Sequence, residues 1–293
     1  MSTIDADTRP VTLLGWPIEH TLSPVIHNTA FDARNLNFVY LASAVRPERV
    51  GNAVDGLRAL NFAGANVTIP HKEAVGRHLD EIAEEARAVG AVNTIVVEER
   101  KDGDTLRGEN TDIEGFLRPM EAQIDELRGE SALIFGSGGA ARAVTYALLT
   151  HLEPQTLTLA ARSPEKAEQI AEDLAPWDEN DALSITPLSR AGPSVRSSRL
   201  LVNATPVGMY PHSSETIWES TADFQEDHIA YDLVYRPRQT RWLREVSDQG
   251  GTIIGGLDML IAQAATSFHH WTGTEMPERP VRRALEAAIP TNA

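Results

Sequence analysis

Lysine is scarce in this chain of 293 residues, and one of its three lysines ends a run of polar side chains. The segment Gly64–Lys72 reads Gly-Ala-Asn-Val-Thr-Ile-Pro-His-Lys, an extended stretch that stops at Pro70. We expect a helix to begin at Lys72. Because a helix N-terminus disfavours an ammonium ion, the pKa of Lys72 would be lowered. Such an amine can donate a proton near neutral pH, so the segment indicates a general acid; a surface lysine is the alternative.

Further polar clusters follow strand-like segments in the first half of the chain: His20–Pro24, Gly90–Thr94 and Gly108–Asp112. Open α/β sheets bind ligands at the carboxyl ends of their strands, where these clusters would lie. Ser23 and Asp112 also suit the N-cap of a helix. The functional interpretation of Asp112 is a carboxylate that orients the Lys72 ammonium and keeps it charged.

A glycine turn opens the second half. Ser131–Arg142 reads as a buried strand, a turn and a helix start. Gly136 and Gly138 occupy positions where a Rossmann turn needs a tight bend and a close approach to pyrophosphate, and Ala141 takes the third small position. The helix N-terminus would offer unpaired N–H groups to phosphate. The turn predicts a dinucleotide site, and a purely structural turn is the alternative.

The next strand distinguishes between cofactors. A site for NAD places Asp or Glu at the end of this strand to bind the ribose 2′-hydroxyl. Here the strand runs into Arg162 and Ser163, and Lys166 follows one helical turn later. Arginine can bind a 2′-phosphate with two charge-assisted hydrogen bonds. NADP is therefore favoured over NAD, and a solvated loop arginine is the alternative.

Short apolar segments rich in Val, Ile and Leu alternate with helical patterns along the chain, which is typical of α/β folds with parallel strands and right-handed crossovers. The predicted strands are Val11–Gly15, Phe38–Ala42, Gly64–Ile69, Asn93–Val97, Ala132–Gly136, Thr156–Ala160, Leu200–Ala204, Ala230–Val234 and Thr252–Ile254. The predicted helices are Pro24–Arg34, Pro47–Leu60, Lys72–Val89, Ile113–Leu127, Ala140–Leu152, Glu165–Leu174 and Leu257–Trp271.

The length predicts two domains, since a typical domain has roughly 150 residues. A new strand–helix–strand unit begins at Ala132, and the helix Leu257–Trp271 could return to the first half. We assign residues 1–116 with 255–293 to a substrate-binding, catalytic domain. Residues 117–254 form the predicted dinucleotide-binding domain.

Composition excludes several classes of protein. The chain has no cysteine, which excludes disulfides, cysteine-ligated metal clusters and thiol nucleophiles, and we predict no metal site. A net charge of −16 without a basic stripe argues against nucleic-acid binding. No apolar run reaches the roughly 18 residues of a membrane span, and residues 1–10 do not resemble a signal peptide, so a cytoplasmic location is expected. The acid excess fits a high-salt cytoplasm or a GC-rich genome equally well.

Taken together, the motifs resemble the shikimate dehydrogenase family in order and spacing, from about Val11 to Trp271. The resemblance rests on the clusters Thr21–Pro24, Gly64–Lys72, Gly90–Thr94, Asn110–Asp112, Gly136–Arg142, Asn203–Met209, Asp232–Tyr235 and Gly256–Ala264. It implies a substrate domain and a Rossmann-type domain with a cleft between them. It further implies NADPH-dependent reduction of 3-dehydroshikimate to shikimate, in the pathway to chorismate and aromatic amino acids.

The resemblance also implies roles for single residues. Lys72 and Asp112 would form the catalytic pair. The substrate carboxylate would be bound by the hydroxyl groups of Thr21, Ser23, Thr68 and Tyr235. The ring hydroxyls would be bound by Asn66, Asn93, Asp112 and Gln263. The pyrophosphate would be bound by Gly136, Ser137, Gly138, Gly139, Ala140 and Arg142. The 2′-phosphate would contact Arg162, Ser163 and Lys166, and the nicotinamide side would be lined by Thr205, Gly256 and Met259.

Two positions depart from the family pattern: Thr21 stands where serine is usual, and Ala161 stands where many NADP-using members have asparagine. A quinate/shikimate dehydrogenase of broader specificity remains an alternative, as does a noncatalytic NADP-binding regulatory protein. A methylenetetrahydrofolate dehydrogenase shares the two-domain plan, but its pterin would favour an aromatic stacking surface. The chain could be a monomer or a homodimer.

Overall fold

The chain divides into two compact units, each built around its own sheet. The computed structural model describes residues 4–101 and 103–289. The first unit contains the described residues of 1–111 and 263–288, and the second contains Asp112–Ala262 and Ile289. Each unit has a six-stranded sheet with connecting helices, which confirms the predicted α/β fold class.

The sheet of the first unit is mixed, with the strand order β2-β1-β3-β5-β6-β4. Its strands are β1 (Arg9–Gly15), β2 (Phe38–Ala44), β3 (Gly64–Val67), β4 (Glu81–Ile82), β5 (Thr94–Glu98) and β6 (Thr105–Glu109). The helices before the second unit are α1 (Ser23–Arg34), α2 (Val50–Ala59) and α3 (Glu84–Val89). Strand β1 runs parallel to β2 and β3, whereas β5 runs antiparallel to both β3 and β6.

The prediction of parallel strands throughout is therefore wrong for part of this sheet. Residues 99–104 join β5 to β6, and a connection this short can close a hairpin but cannot make a parallel crossover, which takes about a dozen residues. Strand β6 reads Thr-Leu-Arg-Gly-Glu and was not predicted, because it has no apolar run. It forms because β5 offers a partner along its full length.

The predicted helix Lys72–Val89 is also wrong. The segment forms a turn, the short 3-10 helix Val75–His78, strand β4 and helix α3. The Asp80 carboxylate accepts the Leu106 N–H over 2.7 Å, and β4 pairs with β6. These contacts with a later part of the chain prevail over a local pattern that suits a helix.

The second unit has a wholly parallel sheet with the order β12-β11-β10-β7-β8-β9. Its strands are β7 (Ala132–Phe135), β8 (Leu157–Ala161), β9 (Leu183–Pro187), β10 (Leu200–Asn203), β11 (Ile229–Asp232) and β12 (Thr252–Gly255). The chain moves outward from β7 in one direction through β8 and β9, and in the other through β10 to β12. This is the Rossmann order, and such sheets bind ligands where the direction changes, at β7 and β10.

The remaining helices are α4 (Asp112–Leu117), α5 (Ile124–Leu127), α6 (Gly139–His151), α7 (Pro164–Leu174), α8 (Gly192–Ser197), α9 (Arg241–Asp248), α10 (Gly256–Thr272) and α11 (Glu278–Ala288). One predicted helix, Ile113–Leu127, is divided into α4, a 3-10 segment and α5. Pro119 lies at the break, and proline lacks the N–H that a continuous helix requires. Helix α10 passes from the second unit to the first after Ala262.

Apolar side chains fill the core of each unit. In the first, buried residues of β1, β3 and β5 pack against α2, including Leu14, Val67 and Leu57. In the second, Phe135 and Trp242 pack edge to face at 6.0 Å between ring centroids. Within the described part of the chain, no helix is long and apolar enough to cross a membrane.

Candidate active site

A cluster of amide and hydroxyl side chains lies where β3 ends beside the start of β5 in the first unit. Asn66 and Asn93 are both buried. The Tyr40 hydroxyl donates to Asn66 Oδ1 over 2.7 Å, and Asn66 Nδ2 donates to Thr94 Oγ1 over 3.1 Å. Asn93 Oδ1 accepts the Thr111 N–H over 2.8 Å, and Asn93 Nδ2 donates to the Thr111 hydroxyl. Because an amide has one accepting and one donating end, these partners fix how both side chains are oriented.

Sequence reasoning missed Ser267, the residue that joins this cluster to α10. Ser267 is fully buried, and its hydroxyl donates to the Gln263 carbonyl over 3.0 Å. Its oxygen also lies 3.0 Å from Asn66 Nδ2, 2.8 Å from Thr94 Oγ1 and 3.2 Å from Thr111 Oγ1. A serine that bonds back to the carbonyl four residues earlier is common in helices, so the sequence offered no signal for this role.

Thr21 and Ser23, predicted to bind a carboxylate, lie next to each other before and at the start of α1. The Thr21 hydroxyl donates to the Ser23 hydroxyl over 3.2 Å. Helix α1 begins at Ser23 itself, and no side chain caps it, so Ser23 does not serve as the N-cap. Burial raises the pKa of Tyr40, and a hydrogen bond with Ser23 partly offsets this effect. The Tyr40 hydroxyl itself donates to Asn66.

Lys72 lies in a turn before the 3-10 helix Val75–His78, so the prediction that a helix begins at Lys72 is wrong. The turn is nonetheless held firmly. The buried His71 ring bonds the Val45 carbonyl through Nε2 over 2.7 Å. The Lys72 carbonyl accepts the Val92 N–H over 2.8 Å, which ties it to the cluster that contains Asn93. Lys72 is half-buried on this fixed backbone.

The other predicted substrate and catalytic residues are divided between the units. Thr68, directly after β3, and Gln263, on α10, are half-buried in the first unit. Asp112 is buried as the first residue of α4, and Tyr235 follows β11; both belong to the second unit. Burial raises the pKa of Tyr235. The pairing of Asp112 with Lys72 stays a prediction.

A buried histidine lies beneath the cluster in the first unit. The His27 ring stacks on Tyr40 with 4.4 Å between ring centroids and meets the edge of Trp271 at 5.1 Å. Burial lowers the pKa of His27 to about 3, and a hydrogen bond with Asn66 acts against this effect. His27 is therefore neutral under ordinary conditions and adds no charge to the site.

The glycine turn of the second unit has the geometry that phosphate binding requires. Gly136 follows β7 with a φ of 122°, and a Cβ there would lie 3.0 Å from Thr205 Cγ2. Helix α6 begins at Gly139, and no side chain caps it. The N–H groups of its first turn can therefore donate to a phosphate. Ser137 and Ala140 are half-buried and Gly138 is exposed in the same turn.

Arg142, predicted at the pyrophosphate, forms an ion pair with Asp173 of α7. Asp173 also accepts from Gln169 Nε2 over 2.9 Å. The Arg142 guanidinium lowers the pKa of Asp173, so the acid stays ionised. The pair links α6 to α7, a contact that no local sequence pattern predicts.

The residues predicted to bind a 2′-phosphate lie together at the end of β8 and the start of α7. Arg162 and Ser163 occupy the two positions between the strand and the helix, and Lys166 is in the first turn. All three are exposed, so a phosphate could reach them from solvent. This fits the charge and donor chemistry of NADP.

The predicted nicotinamide-side residues follow β10 and β12. Thr205 is half-buried after β10 and contacts the glycine turn, as its distance to Gly136 indicates. Gly256 begins α10, where a Cβ would lie 2.4 Å from the Leu233 carbonyl oxygen, so a side chain cannot fit. Met259 is buried one turn later. Among the residues that the structure describes, no group of three or more His, Asp or Glu side chains could hold a metal ion.

Two family models match the chain. The model described as the shikimate dehydrogenase substrate binding domain matches residues 13–95, and the model described as the shikimate 5′-dehydrogenase C-terminal domain matches residues 256–286. A protein of Salinibacter ruber named shikimate dehydrogenase (NADP(+)) is 56% identical over 286 residues. The alignment covers 97% of this chain and 99% of that protein.

Solved structures agree with these matches. A crystal structure of a shikimate dehydrogenase in complex with NADP+ is 37% identical with a TM-score of 0.91, and the match covers 99% of this chain and 98% of that one. A shikimate 5-dehydrogenase from Listeria monocytogenes, solved with shikimate and NAD, is 32% identical with a TM-score of 0.88. That match covers 97% of this chain and 99% of the other.

Replacing His27 by phenylalanine should make folding less sensitive to acid. The pKa of this histidine is about 3 in the folded protein, against 6.5 as the ordinary value. Between these two pH values His27 is protonated in the unfolded chain but not in the folded protein. The contribution of His27 to the free energy of unfolding is therefore fully present above pH 6.5 and is lost as the pH falls. From pH 7 to pH 5, His27→Phe should lose about 2 kcal/mol less unfolding free energy than wild type.

Urea unfolding at both pH values measures this difference. His27→Gln also cannot titrate and should behave in the same way, even if it differs from His27→Phe in absolute stability. An equal decrease of the unfolding free energy from pH 7 to pH 5 in wild type and both variants would contradict the burial of a neutral His27.

Proposed function

Because this chain belongs to the shikimate dehydrogenase family, we infer that it is an NADP-dependent oxidoreductase that interconverts 3-dehydroshikimate and shikimate. The reaction is a step of the shikimate pathway to chorismate and aromatic amino acids. The observation that carries this function is the hydrogen-bonded cluster of amides and hydroxyls around Asn66 and Asn93, in a chain that also holds a Rossmann turn.

The substrate offers one carboxylate and several ring hydroxyls, and the proposed contacts match these groups in kind. Thr21 and Ser23, adjacent in the first unit, would donate to the carboxylate, with further hydroxyls from Thr68 and Tyr235. The ring hydroxyls would meet Asn66, Asn93, Asp112 and Gln263. Unmatched buried polar groups are costly, so such a set rejects analogues that lack a hydroxyl.

NADPH, when bound, supplies the hydride that reduces the substrate ketone. The first turn of α6 and the glycine turn would bind its pyrophosphate, and Arg162, Ser163 and Lys166 would bind its 2′-phosphate. Lys72 would stabilise the developing negative charge on the ketone oxygen and donate a proton to it. Asp112 would orient the Lys72 ammonium and keep it charged. In the reverse direction, Lys72 in its neutral amine form would accept the proton from the substrate hydroxyl.

These proposed roles assign different ligands to the two units. Substrate binding would belong mainly to the first unit, and cofactor binding to the second. The domain limits 1–116 with 255–293 and 117–254 stay predictions, as do the cytoplasmic location and the choice between a monomer and a homodimer.

The function is tested by assaying shikimate and quinate, each with NADP and with NAD, through the absorbance of the reduced cofactor. Shikimate with NADP should give the highest kcat/KM. Highest activity on quinate would favour the broader quinate/shikimate dehydrogenase. A protein that binds NADPH without turnover of either substrate would favour the noncatalytic alternative.

Replacing Lys72 by alanine should abolish most turnover while the KM for shikimate changes little. Loss of a general acid typically lowers kcat by about 10²- to 10⁴-fold. Steady-state kinetics of Lys72→Ala against wild type measures both constants. The exposed Lys101 gives a matched control, and Lys101→Ala should keep wild-type kinetics. A Lys72→Ala variant with more than half of wild-type kcat would refute the assignment, and loss of affinity alone would make Lys72 a binding residue.

Replacing Arg162 by aspartate should narrow or invert the preference for NADP over NAD. The change removes the donor for the 2′-phosphate and adds a carboxylate that repels this phosphate but can accept the 2′-hydroxyl of NAD. The ratio of kcat/KM for the two cofactors should shift by roughly 10- to 150-fold. Lys166 remains as a partial anchor, so complete inversion is not required.

Arg244→Asp makes the same charge change at an exposed position of α9 and should leave the cofactor ratio unaltered. A wild-type enzyme that prefers NAD, or an Arg162→Asp variant with an unchanged ratio, would show that Arg162 is only a solvated loop residue.

A further inference from the structure

Asp232 is a fully buried carboxylate at the end of β11, and none of the roles above uses it. Among the residues that the structure describes, three groups donate hydrogen bonds to this carboxylate, and all three are neutral. Asn203 Nδ2 and the Val234 N–H each donate to Oδ1 over 3.0 Å, and the Thr240 hydroxyl donates to Oδ2 over 2.6 Å. Burial raises the pKa of Asp232 to about 7, and these hydrogen bonds act against the increase. A buried carboxylate without a cationic partner is costly, so its presence calls for an explanation beyond packing.

The carboxylate ties together three segments at the carboxyl edge of the second sheet. Asn203 is the last residue of β10, and Val234 belongs to the loop after β11 that carries Tyr235. Thr240 is the N-cap of α9, where its hydroxyl accepts the Leu243 N–H. All of these contacts lie within the second unit.

Asn203 links Asp232 to Thr205, which lies beside the glycine turn. Asn203 Oδ1 accepts both the N–H and the hydroxyl of Thr205, over 3.0 Å and 2.7 Å. The Thr205 hydroxyl in turn accepts the Val207 N–H over 3.2 Å. Thr205 Cγ2 lies against Gly136, 3.0 Å from where a Cβ would be.

Asp232 Oδ1 accepts the Val234 N–H, which can only donate, so the same oxygen also acts as an acceptor toward Asn203. Facing Asp232, Asn203 must present its NH₂ group, so its oxygen faces Thr205. An asparagine at position 232 has the same shape but could donate as well as accept. It also lacks the negative charge that strengthens the hydrogen bond from Asn203 Nδ2, so Asn203, and Thr205 with it, would be held less firmly.

We propose that Asp232 is a positioning residue for the redox step: through Asn203 it orients Thr205 and the loop that follows β10, beside the glycine turn. The proposal rests on the proposed function, in which Thr205 lines the nicotinamide side of the cofactor. Asp232 acts through other residues.

The test replaces Asp232 by asparagine, with Asp223→Asn as the matched control. Asp223 is a buried carboxylate of the same unit, but its partners are Arg196 and the Trp218 indole, and not Asn203 or Thr205. Asp232→Asn should lower kcat by roughly 10- to 100-fold, since small misplacements near the reacting atoms cost that much. The KM for shikimate should change little, and the melting temperature should not fall. Asp223→Asn should lower the melting temperature and keep kcat.

Hydrogen exchange adds a readout that does not depend on turnover. With NADP bound, segments 203–208 and 232–236 should exchange faster in Asp232→Asn and at the wild-type rate in Asp223→Asn. Thr205→Val, which removes the hydroxyl at the other end of the relay, should lower kcat as well. The kcat of the double variant should be no lower than that of the more impaired single variant. Both changes interrupt the same series of hydrogen bonds, which runs from Asp232 through Asn203 to Thr205.

Unchanged kcat in Asp232→Asn would overturn the proposal, whatever the exchange shows. So would a loss of kcat that accompanies an equal loss in Asp223→Asn, since that pattern reports general destabilisation. Lack of shikimate turnover in the wild type would refute the proposed function instead. In that case, unchanged exchange of the two segments would overturn the role of Asp232, and faster exchange would support it.

Discussion

The need of buried amides and hydroxyls for hydrogen-bond partners is the constraint on which the polar network of each unit depends. In the first unit, Ser267 lies at the centre of a network that satisfies Asn66, Thr94 and Thr111 at once. In the second unit, Asn203 is satisfied by Asp232 on one side and Thr205 on the other. Each network leaves its amides one orientation, because a flip would set donor against donor.

This constraint explains how a small polar substrate could be recognised without rearrangement. Side chains whose orientation is fixed in advance cost less to order when a ligand binds. The turn that carries Lys72 is fixed in a similar way, by the His71 ring and by the Val92 N–H. A charged group on a rigid backbone can be placed against one reacting oxygen, which general acid catalysis requires.

Elements with their own hydrophobic pattern were predictable, and elements defined by a partner were not. The apolar strands β1, β7, β10 and β11 lie close to their predicted limits. Strands β4 and β6 were missed because neither has an apolar run and both form by pairing with other strands. Helix α9, a short segment capped by Thr240, was missed. Where a helix was predicted from Lys72, the chain instead forms a turn, a 3-10 helix and β4 before α3. Local propensity is weak where a strand partner is available.

The sequence by itself determined the family, the α/β class, the glycine turn, and the basic group of Arg162 and Lys166 in place of an acid. These features depend on residue types at short spacing, which the chain displays directly. Only the tertiary structure decided the mixed sheet, the pairing of Arg142 with Asp173, and the roles of Ser267 and Tyr40. Such contacts join residues far apart in the chain. The sequence around a single hydroxyl or carboxylate does not show which distant group it will contact in the folded protein.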